Sequence, residues 1–366
     1  MNLEELQYLI ALKQIPNVGD ATAKKLIQAF GSAKAVFESK DNELLKVNGF
    51  GNHKLKQFRD PSYLTLAEEE VKFIEANEIK VTTYQDKDYP SYLKNCIDGP
   101  IVLFQKGNIN LNHKHIISIV GTRQVTSNGI EFCERLIEEL APLNPLIVSG
   151  FAYGTDICAH KKCIDLNLQT IAVLAHGFNT LYPKAHSKYE NQILNNGGFM
   201  TDFCSYQAFD RNNFLGRNRI IAGMSEATIV IESAEKGGSL VTADIANSYN
   251  RDVFAVPGRP GDKFSKGCNT LIKKQEAHML TQPADIVYML NWDLKPKQQQ
   301  TQLFVELTSD EKRCLEALKT KPKLELDSIC RITELPSYKI APLLLNLELK
   351  GIVRPLPGKQ YEIINY

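Results

Sequence analysis

The strongest constraint on the fold is an alternation of short apolar runs with helical patterns between residues 106 and 292. The runs predict strands at 115–121, 146–150, 170–174, 199–202, 227–232 and 253–256, and the patterns between them predict helices at 127–140, 155–166, 186–196, 214–223 and 239–249. Continuous apolar strands separated by helices are typical of a parallel sheet covered on both faces. Because crossovers are right-handed, the segment predicts an α/β domain with a Rossmann-like, doubly wound, mostly parallel sheet.

Several of these predicted strands end in small, polar turns that contain glycine. The turns are Gly121-Thr122-Arg123, Ser149-Gly150 with Gly154, the Tyr182-Pro183-Lys184 segment, and Lys236-Gly237-Gly238-Ser239. In a doubly wound sheet, ligands bind at the carboxyl ends of the strands. A glycine lets the backbone approach a ligand, and a helix N-terminus adds partial positive charge. The turns therefore predict a phosphate-binding face along one edge of the sheet.

The type of phosphate ligand is narrowed by motifs that the sequence lacks. No G-x-G-x-x-G follows the first strand of the domain, and no G-x-x-x-x-G-K-[ST] is present. We therefore expect no dinucleotide, no ATP and no other cofactor. Several separate anion-binding turns suit an extended polyanion better than a single nucleotide.

Basic and aromatic residues are interleaved near the same turns. The basic residues are Arg123, Lys184, Arg211, Arg217, Arg219 and Lys236, and the aromatic ones are Phe151, Tyr153, Tyr182, Tyr206, Phe209 and Phe214. Residues two apart on a helix do not share a face, so we expect one of Arg217 and Arg219 to reach the ligand and the other to pack. Each aromatic ring either stacks on an unpaired base or belongs to the core.

A catalytic interpretation finds little support in the sequence. Asp156 and His160 are four residues apart on one predicted helix, but no G-x-S-x-G nucleophile motif accompanies them. We interpret both as a network that holds the Gly154 turn, and His176 as a hydrogen-bonded structural histidine. No catalytic or metal-binding residue is predicted.

The flanking segments predict two further domains. Residues 1–80 contain two helix–turn–helix patterns, at 15–19 and 47–51, that look like helix-hairpin-helix units of a SAM-like domain. Lys24, Lys25 and Lys54 follow these turns and are candidates for contact with DNA phosphates, with a solvated helix face as the alternative for Lys24 and Lys25. Residues 81–113 lead into the sheet of the central domain, which we place at 81–292.

The C-terminal segment begins with a polar stretch, 293–302, that predicts a linker. Residues 303–366 then predict three helices and a hairpin, which together look like a winged helix. The third helix carries Lys339 and Lys350 but also Glu348, and it is rich in leucine. This content favours a protein-contact or regulatory role over the reading of bases in duplex DNA.

Net charge, cysteine content and the lengths of the apolar runs indicate what kind of binding site and which cellular compartment to expect. The net charge is +1, so a binding site for an anion must be a local patch. The eight cysteines form no C-x-x-C pair, the N-terminus has no basic region typical of a signal peptide, and no apolar run reaches the length of a membrane span. We expect a cytoplasmic protein without a membrane span.

Six motifs occur in an order and spacing that resemble a known family. They are IVGTR (119–123), SGFAYGTD-x-x-AH (149–160), TIAVL-x-x-G-x-x-x-x-YP (170–183), RNRIIAG (217–223), GGSLVTA (237–243) and DVFAVPG (252–258). Together they resemble the DNA-processing protein A (DprA/Smf) family. The resemblance implies a Rossmann-like domain between a SAM-like domain and, in many members, a winged helix. It also implies a non-enzymatic protein that binds single-stranded DNA, forms a homodimer, protects incoming DNA and loads RecA recombinase onto it during natural transformation.

The resemblance further implies that Arg123, Lys184, Arg211 and Arg217 contact DNA. With the glycine turns, the predicted DNA-binding residues are Gly121, Thr122, Arg123, Ser149, Gly150, Gly154, Lys184, Arg211, Arg217, Lys236, Gly237, Gly238 and Ser239. The sequence departs from the family pattern at Ala175, which replaces a glycine before His176, and at Leu215-Gly216, where a proline and a variable residue are usual.

Two other classes of function are considered. The central fold also resembles nucleoside-monophosphate phosphoribohydrolases of the lysine-decarboxylase-like group, whose motif is PGG-x-GT-x-x-E. The glycines of GGSLVTAD are similar, but Ala243 and Asp244 stand around the position expected for the catalytic glutamate. The third class is a scaffold that acts through its helical and winged-helix ends.

Overall fold

The structure is a computed structural model, and it describes residues 2–292, 307–321, 323–350, 352–356 and 358–363. The chain forms two compact units, Met1–Asp293 and Leu294–Tyr366. The predicted linker at 293–302 lies outside the described residues. In the described ranges, no helix has the length and apolar character needed to cross a membrane.

The first unit contains a sheet with helices on both of its faces. Its strands are β1 (Lys80–Thr83), β2 (Val102–Gly107), β3 (Ile116–Val120), β4 (Leu146–Ser149), β5 (Thr170–Val173), β6 (Gly197–Thr201), β7 (Ala227–Val230), β8 (Asp252–Ala255) and β9 (His278–Met279). Its helices are α1 (Leu3–Gln14), α2 (Asp20–Phe30), α3 (Ala33–Glu38), α4 (Asp41–Leu44), α5 (Asn52–Phe58), α6 (Ser62–Ala76), α7 (Ser91–Lys94), α8 (Ser127–Leu140), α9 (Thr155–Asp165), α10 (Glu190–Asn195), α11 (Asn212–Met224), α12 (Gly238–Ser248), α13 (Lys266–Lys273) and α14 (Pro283–Met289).

The nine strands are arranged in the order β1-β2-β6-β5-β4-β3-β7-β8-β9. Strands β3 to β9 pair in parallel, whereas β1 and β2 pair antiparallel at one side of the sheet. The chain order reverses between β3 and β7, so the sheet is doubly wound and mostly parallel. The predicted fold class is confirmed, and the predicted strand ends differ from the observed ones by one or two residues, as is usual at element boundaries.

The largely apolar sequence of β3 follows from its burial on both faces of the sheet. Ile117 and Ile119 pack in a core with residues of α8, α9 and α14. Ile116 and Val120 face the opposite way and pack in a core with residues of α11, α12 and α13. Because successive side chains of a strand point to opposite faces, a strand buried on both is mostly apolar, and its one polar residue, Ser118, has its hydroxyl 2.8 Å from that of Thr228.

Helices α1 to α6, which we call the helical module (residues 2–76), have a hydrophobic core of their own that also takes in residues of β2. Gly19 is the N-cap of α2, and the carboxylate of Asp20, the first residue of that helix, accepts the Ile101 N–H at 2.8 Å. Lys24 donates to the carbonyls of Cys96 and Ile97, so it packs within the unit. Contact between this module and DNA stays a prediction.

The second unit is a winged helix, as predicted. It contains α15 (Ser309–Lys319), β10 (Leu324–Glu325), α16 (Leu326–Thr333), α17 (Ser337–Leu349), β11 (Val353–Leu356) and β12 (Gln360–Ile363), with strands in the order β10-β12-β11. The side chain of Lys350 forms an ion pair with Glu311 at 2.8 Å. The exposed residues of α17 include the apolar Tyr338, Leu345 and Leu349 and the polar Lys339, Asn346 and Glu348.

Candidate nucleic-acid interface

Four exposed cations lie in the connections that leave the carboxyl edge of the sheet, with Lys184 at the start of a 3-10 helix (Lys184–Tyr189). Arg211 lies between β6 and α11, Lys184 follows β5, Arg123 follows β3 and Lys236 follows β7. These strands are arranged as β6-β5-β4-β3-β7, so the loops follow one another along the edge over about 19 Å at the usual strand spacing. Within the described ranges, none of the four forms an ion pair. We call these residues the edge cations.

A group of aromatic rings lies beside the Arg123 side chain. The Arg123 guanidinium carbon is 5.2 Å from the centroid of the Phe214 ring. The centroid of Phe209 is 5.6 Å from that of Phe214 and 4.9 Å from that of Tyr182. Tyr182 is 42% exposed and Phe209 is 48% exposed. This aromatic cluster (Tyr182, Phe209 and Phe214) has ring surface available for stacking beside a cation that can bind phosphate.

A buried histidine fixes the loop that follows strand β5. Nε2 of His176 accepts the N–H of Tyr182 at 3.3 Å, and Nδ1 lies 2.9 Å from the Gly177 carbonyl oxygen. Burial lowers the pKa of His176, which favours the neutral ring that this acceptor role requires. His176 is thus a structural histidine, as expected, and it holds the backbone that presents Tyr182 and Lys184.

The turns after β3 and β4 pack directly on each other. Gly154 has φ of 79°, and a Cβ there would lie 2.3 Å from the carbonyl oxygen of Thr122. Thr155 donates its N–H to the same oxygen at 3.2 Å. Only glycine fits this left-handed position against a neighbouring backbone, so Gly154 supports the turn that carries Arg123.

Glu232, at the end of β7, holds the other side of the Arg123 loop. Its carboxylate accepts the Thr126 N–H at 2.9 Å and the Thr126 hydroxyl at 2.5 Å. Its backbone carbonyl accepts the Thr122 N–H at 2.8 Å. The sequence pattern did not single out Glu232. The sequence does contain a hint of its role, because Glu232 is an acidic residue that directly follows an apolar run and precedes the Lys236-Gly237 turn.

Arg217 is buried beneath the interface instead of exposed in it. The residue is 5% exposed, and its guanidinium donates to the Val173 carbonyl and to Asn218 Oδ1. Asp156 is its charge partner: a Cβ at Gly150 would lie 2.3 Å from Asp156 Oδ2 and 2.6 Å from Arg217 Nη1. Burial raises the pKa of Asp156 and lowers the pKa of Arg217 to about 10 despite their attraction. The absence of a side chain at Gly150 makes room for this pair.

Three residues that were predicted to contact DNA have buried side chains, and for these side chains the prediction is wrong. Arg217 packs inside the domain, as does Arg219, so neither arginine of the RNR element reaches the surface edge. The Ser149 hydroxyl donates to the Ile119 carbonyl at 2.6 Å, and the Ser239 hydroxyl donates to the Ser233 hydroxyl at 2.9 Å. The side chains of Ser149, Arg217 and Ser239 therefore form internal hydrogen bonds and are not exposed at the edge of the sheet.

The other predicted residues line the edge to different degrees. Arg123, Lys184, Arg211, Lys236 and Gly238 are exposed, Gly121, Thr122, Gly154 and Gly237 are half-buried, and Gly150 is buried. Their contact with DNA stays a prediction. Asp156 and His160 hold the backbone before Gly154: Asp156 accepts the Ala152 N–H at 3.2 Å, and His160 Nε2 lies 2.5 Å from the Gly150 carbonyl oxygen.

The chain thus combines a doubly wound sheet, with exposed cations and rings at its carboxyl edge, with a winged helix, and this architecture agrees with one class of DNA recombination mediators. Residues 80–291 match the family model described as DNA recombination-mediator protein A, and residues 298–359 match the DprA winged helix domain. The chain belongs to the DNA-processing protein A (DprA/Smf) family.

Relatives of known name agree with this assignment. The chain is 31% identical to Protein Smf of Synechocystis over 98% of both chains, and 36% identical to DNA processing protein DprA of Streptococcus pneumoniae over 55% of this chain and 71% of that one. The X-ray structure of the S. pneumoniae protein matches with a TM-score of 0.63 at 28% identity, covering 77% of this chain and 97% of that chain. A structure that reports the single-stranded DNA binding mode of the Helicobacter pylori protein matches with a TM-score of 0.53 at 25% identity, covering 58% and 96%.

The lowered pKa of the buried His160 side chain leads us to predict that the protein loses stability in mild acid. Burial lowers its pKa to about 4, whereas an unfolded chain titrates near 6.5. Above pH 6.5 neither state binds the proton, and as the pH falls towards 4 the unfolded state is favoured. We expect His160 to lower the free energy of unfolding of the first unit by about 2 kcal/mol between pH 7 and pH 5. Chemical denaturation at the two pH values measures this loss.

The matched variant is His160→Gln, which keeps a polar side chain but cannot titrate. Its unfolding free energy should depend less on pH by the same amount. An equal pH dependence in both proteins would contradict the assignment.

Proposed function

We propose that this protein binds single-stranded DNA, without sequence preference, along the edge cations and the aromatic cluster, and that it acts as a binding protein and not as an enzyme. The observation that carries the proposal is that Arg123, Lys184 and Arg211 are exposed and form no ion pair within the described residues. Arg123 lies over the Phe214 ring, which belongs to the cluster that exposes Tyr182 and Phe209. Release of a free base from a nucleoside monophosphate by this protein would contradict the proposal that it is not an enzyme.

The chemistry of this edge favours a single strand over a duplex. Cations recognise the phosphates of any nucleic acid, but rings can stack only on bases that have no partner strand. The Helicobacter pylori relative, whose reported structure concerns its single-stranded DNA binding mode, supports the same choice. With a net charge of +1, the protein owes its attraction to DNA to this local patch.

The double variant Arg123→Ala/Lys184→Ala tests the cation assignment. Each cation that neutralises a phosphate of a single strand adds about 0.7 to the slope of log affinity against log salt. We expect the variant to bind an oligothymidine more weakly and with a slope smaller by about 1.4. Fluorescence anisotropy at several salt concentrations measures both quantities.

Arg135→Ala is the matched control for this experiment. Arg135 also lies over a ring, with its guanidinium carbon 5.4 Å from the centroid of Phe132, but it belongs to α8 and not to the edge loops. Wild-type affinity and slope in the double variant, or an equal loss in the control, would remove Arg123 and Lys184 from the interface.

We also propose that the protein protects incoming strands and loads RecA recombinase onto them during natural transformation, in the cytoplasm. Membership of the recombination-mediator family supports this role. A DNA strand that is bound along one edge of the sheet has its opposite side accessible to a second protein. All eight cysteines are free thiols, which suits a reducing compartment.

Loading is tested by the ATPase activity of RecA on single-stranded DNA coated with a single-strand-binding protein. We expect this chain to shorten the lag before ATP hydrolysis, because it brings RecA to DNA that is otherwise covered. The Arg123→Ala/Lys184→Ala variant should leave the lag long. An unchanged lag with the wild-type protein would contradict the proposal.

A homodimer through strand β9 is the third proposal. In the described part of the chain, β9 ends the sheet and pairs with β8 alone. Met279 on this strand is 55% exposed, and Tyr288 on the adjoining helix α14 is 85% exposed. An uncovered edge strand with exposed apolar side chains is a surface for pairing with another chain, and a second copy related by a two-fold axis presents the same edge.

Met279→Asp tests this surface. A carboxylate at the edge strand would have to be desolvated in the dimer, so we expect the variant to dissociate at concentrations where the wild type is dimeric. Light scattering at several concentrations gives the mass. Tyr338→Asp, an exposed aromatic residue of the winged helix, is the control and should leave the mass unchanged. A monomeric wild type or a dimeric Met279→Asp would contradict the assignment.

A further inference from the structure

The segment between β6 and α11 (residues 202–211) carries two residues of the interface. Phe209 belongs to the aromatic cluster and Arg211 to the edge cations, yet the segment forms no helix or strand of its own. A segment without a backbone ladder takes its conformation from its side-chain and tertiary contacts. Its contacts with the helical module lie at residues 202–207.

Helix α6 supplies a buried carboxylate to this segment. Glu70 accepts the Ser205 N–H with both oxygens, at 3.0 and 2.9 Å, and accepts the Ser205 hydroxyl at 2.6 Å. Glu70 and Ser205 are both buried. A buried carboxylate demands hydrogen-bond donors, so the position of Ser205 is tied to α6.

Helix α1 holds the residues on either side of Ser205. Lys13 forms an ion pair with Asp202 at 3.0 Å. Gln14 donates to Cys204 Sγ at 3.1 Å and accepts from the side chain of Gln207 at 2.8 Å. The side chains of Cys204 and Tyr206 pack in the core of the helical module. Phe209, which belongs to the interface, is the third residue after Tyr206.

The same segment packs on the loop that presents Tyr182 and Lys184. A Cβ at Gly177 would lie 2.4 Å from the Cys204 carbonyl oxygen and 2.7 Å from Ser205 Cα. The two backbones therefore touch at Gly177. A shift of the segment would move Phe209 relative to Tyr182, whose ring centroid is 4.9 Å away.

A charged network fixes α11 to the same module. Arg219 binds Asp20 of α2 at 2.9 Å and Asp202 at 2.6 Å. Burial alone would raise the pKa of Asp202, but Lys13 and Arg219 outweigh it and hold that pKa below its ordinary value. Helix α11 carries Phe214, so the module determines the position of the helix that ends the interface segment.

We propose that the helical module acts as a clamp that holds residues 202–211 in the conformation the DNA interface requires, with Glu70, Gln14 and Arg219 as positioning residues. This gives the module a role that needs no DNA contact of its own. The effect on DNA rests on the proposed function, whereas the clamp itself is measurable without DNA.

The clamp is tested first by hydrogen exchange of the full chain in the absence of DNA. Glu70→Gln replaces one acceptor oxygen by a donor that faces Ser205, so we expect the amides of 203–211 to exchange about tenfold faster. Glu69→Gln is the matched control, since Glu69 is the adjacent, exposed residue of α6. Unchanged exchange at 203–211, or equally faster exchange in β3, would overturn a local clamp.

Binding of an oligothymidine then tests the consequence. We expect Glu70→Gln to weaken binding about five- to tenfold, because Phe209 and Arg211 lose their fixed positions. In a Phe209→Ala/Arg211→Ala background the same change should have less than about a twofold effect, since its targets are gone. An equal loss in both backgrounds would indicate a general structural role and overturn the proposal.

The two measurements separate the clamp from the proposed function. If the wild-type protein binds no single strand, the DNA function fails while hydrogen exchange still decides whether the clamp exists. If Glu70→Gln does not fold, Gln14→Ala replaces it in both measurements, because it removes only the contacts with Cys204 and Gln207.

Discussion

Two guanidinium groups of one helix, the buried Arg217 and the half-buried Arg219, join the parts of the first unit. Arg217 of α11 is matched by Asp156 below the interface, and Arg219, two residues later, is matched by Asp20 and Asp202 beside the helical module. Removing one partner of a buried pair typically costs about 3–5 kcal/mol, although an apolar replacement of the whole pair costs little. Such pairs therefore specify geometry more than they add stability. Helix α11 is held on one side by the interface turns and on the other by the module.

The cations of this chain fall into two groups with different consequences. Lys13, Arg217 and Arg219 are satisfied by internal carboxylates or carbonyls, whereas the edge cations have no such partner in the described residues. A net charge of +1 hides this difference, because the internal pairs cancel. What attracts a polyanion is the local field of the unmatched group, which lies where the carboxyl ends of the strands converge.

The sequence predicts the sheet well and the side-chain roles less well. Strands buried on both faces are mostly apolar runs, so β3 to β8 were found to within one or two residues. Arg217 and Arg219 were correctly placed on different helix faces, but spacing alone does not reveal that both faces are covered. Glu70 meets Ser205 across 135 residues of sequence, a contact without local signal. Ser149 and Ser239 were misjudged for the same reason: exposure depends on tertiary packing.

The central claim is that the carboxyl edge of the sheet recognises phosphates together with unpaired bases. Competition between a single strand and a duplex of equal length, measured at several salt concentrations, tests it most directly. Both affinities should fall linearly with log salt, and the single strand should remain the better ligand at every salt concentration because stacking on Tyr182, Phe209 and Phe214 is insensitive to screening. Equal affinity for the two ligands, or preference for the duplex, would contradict this account.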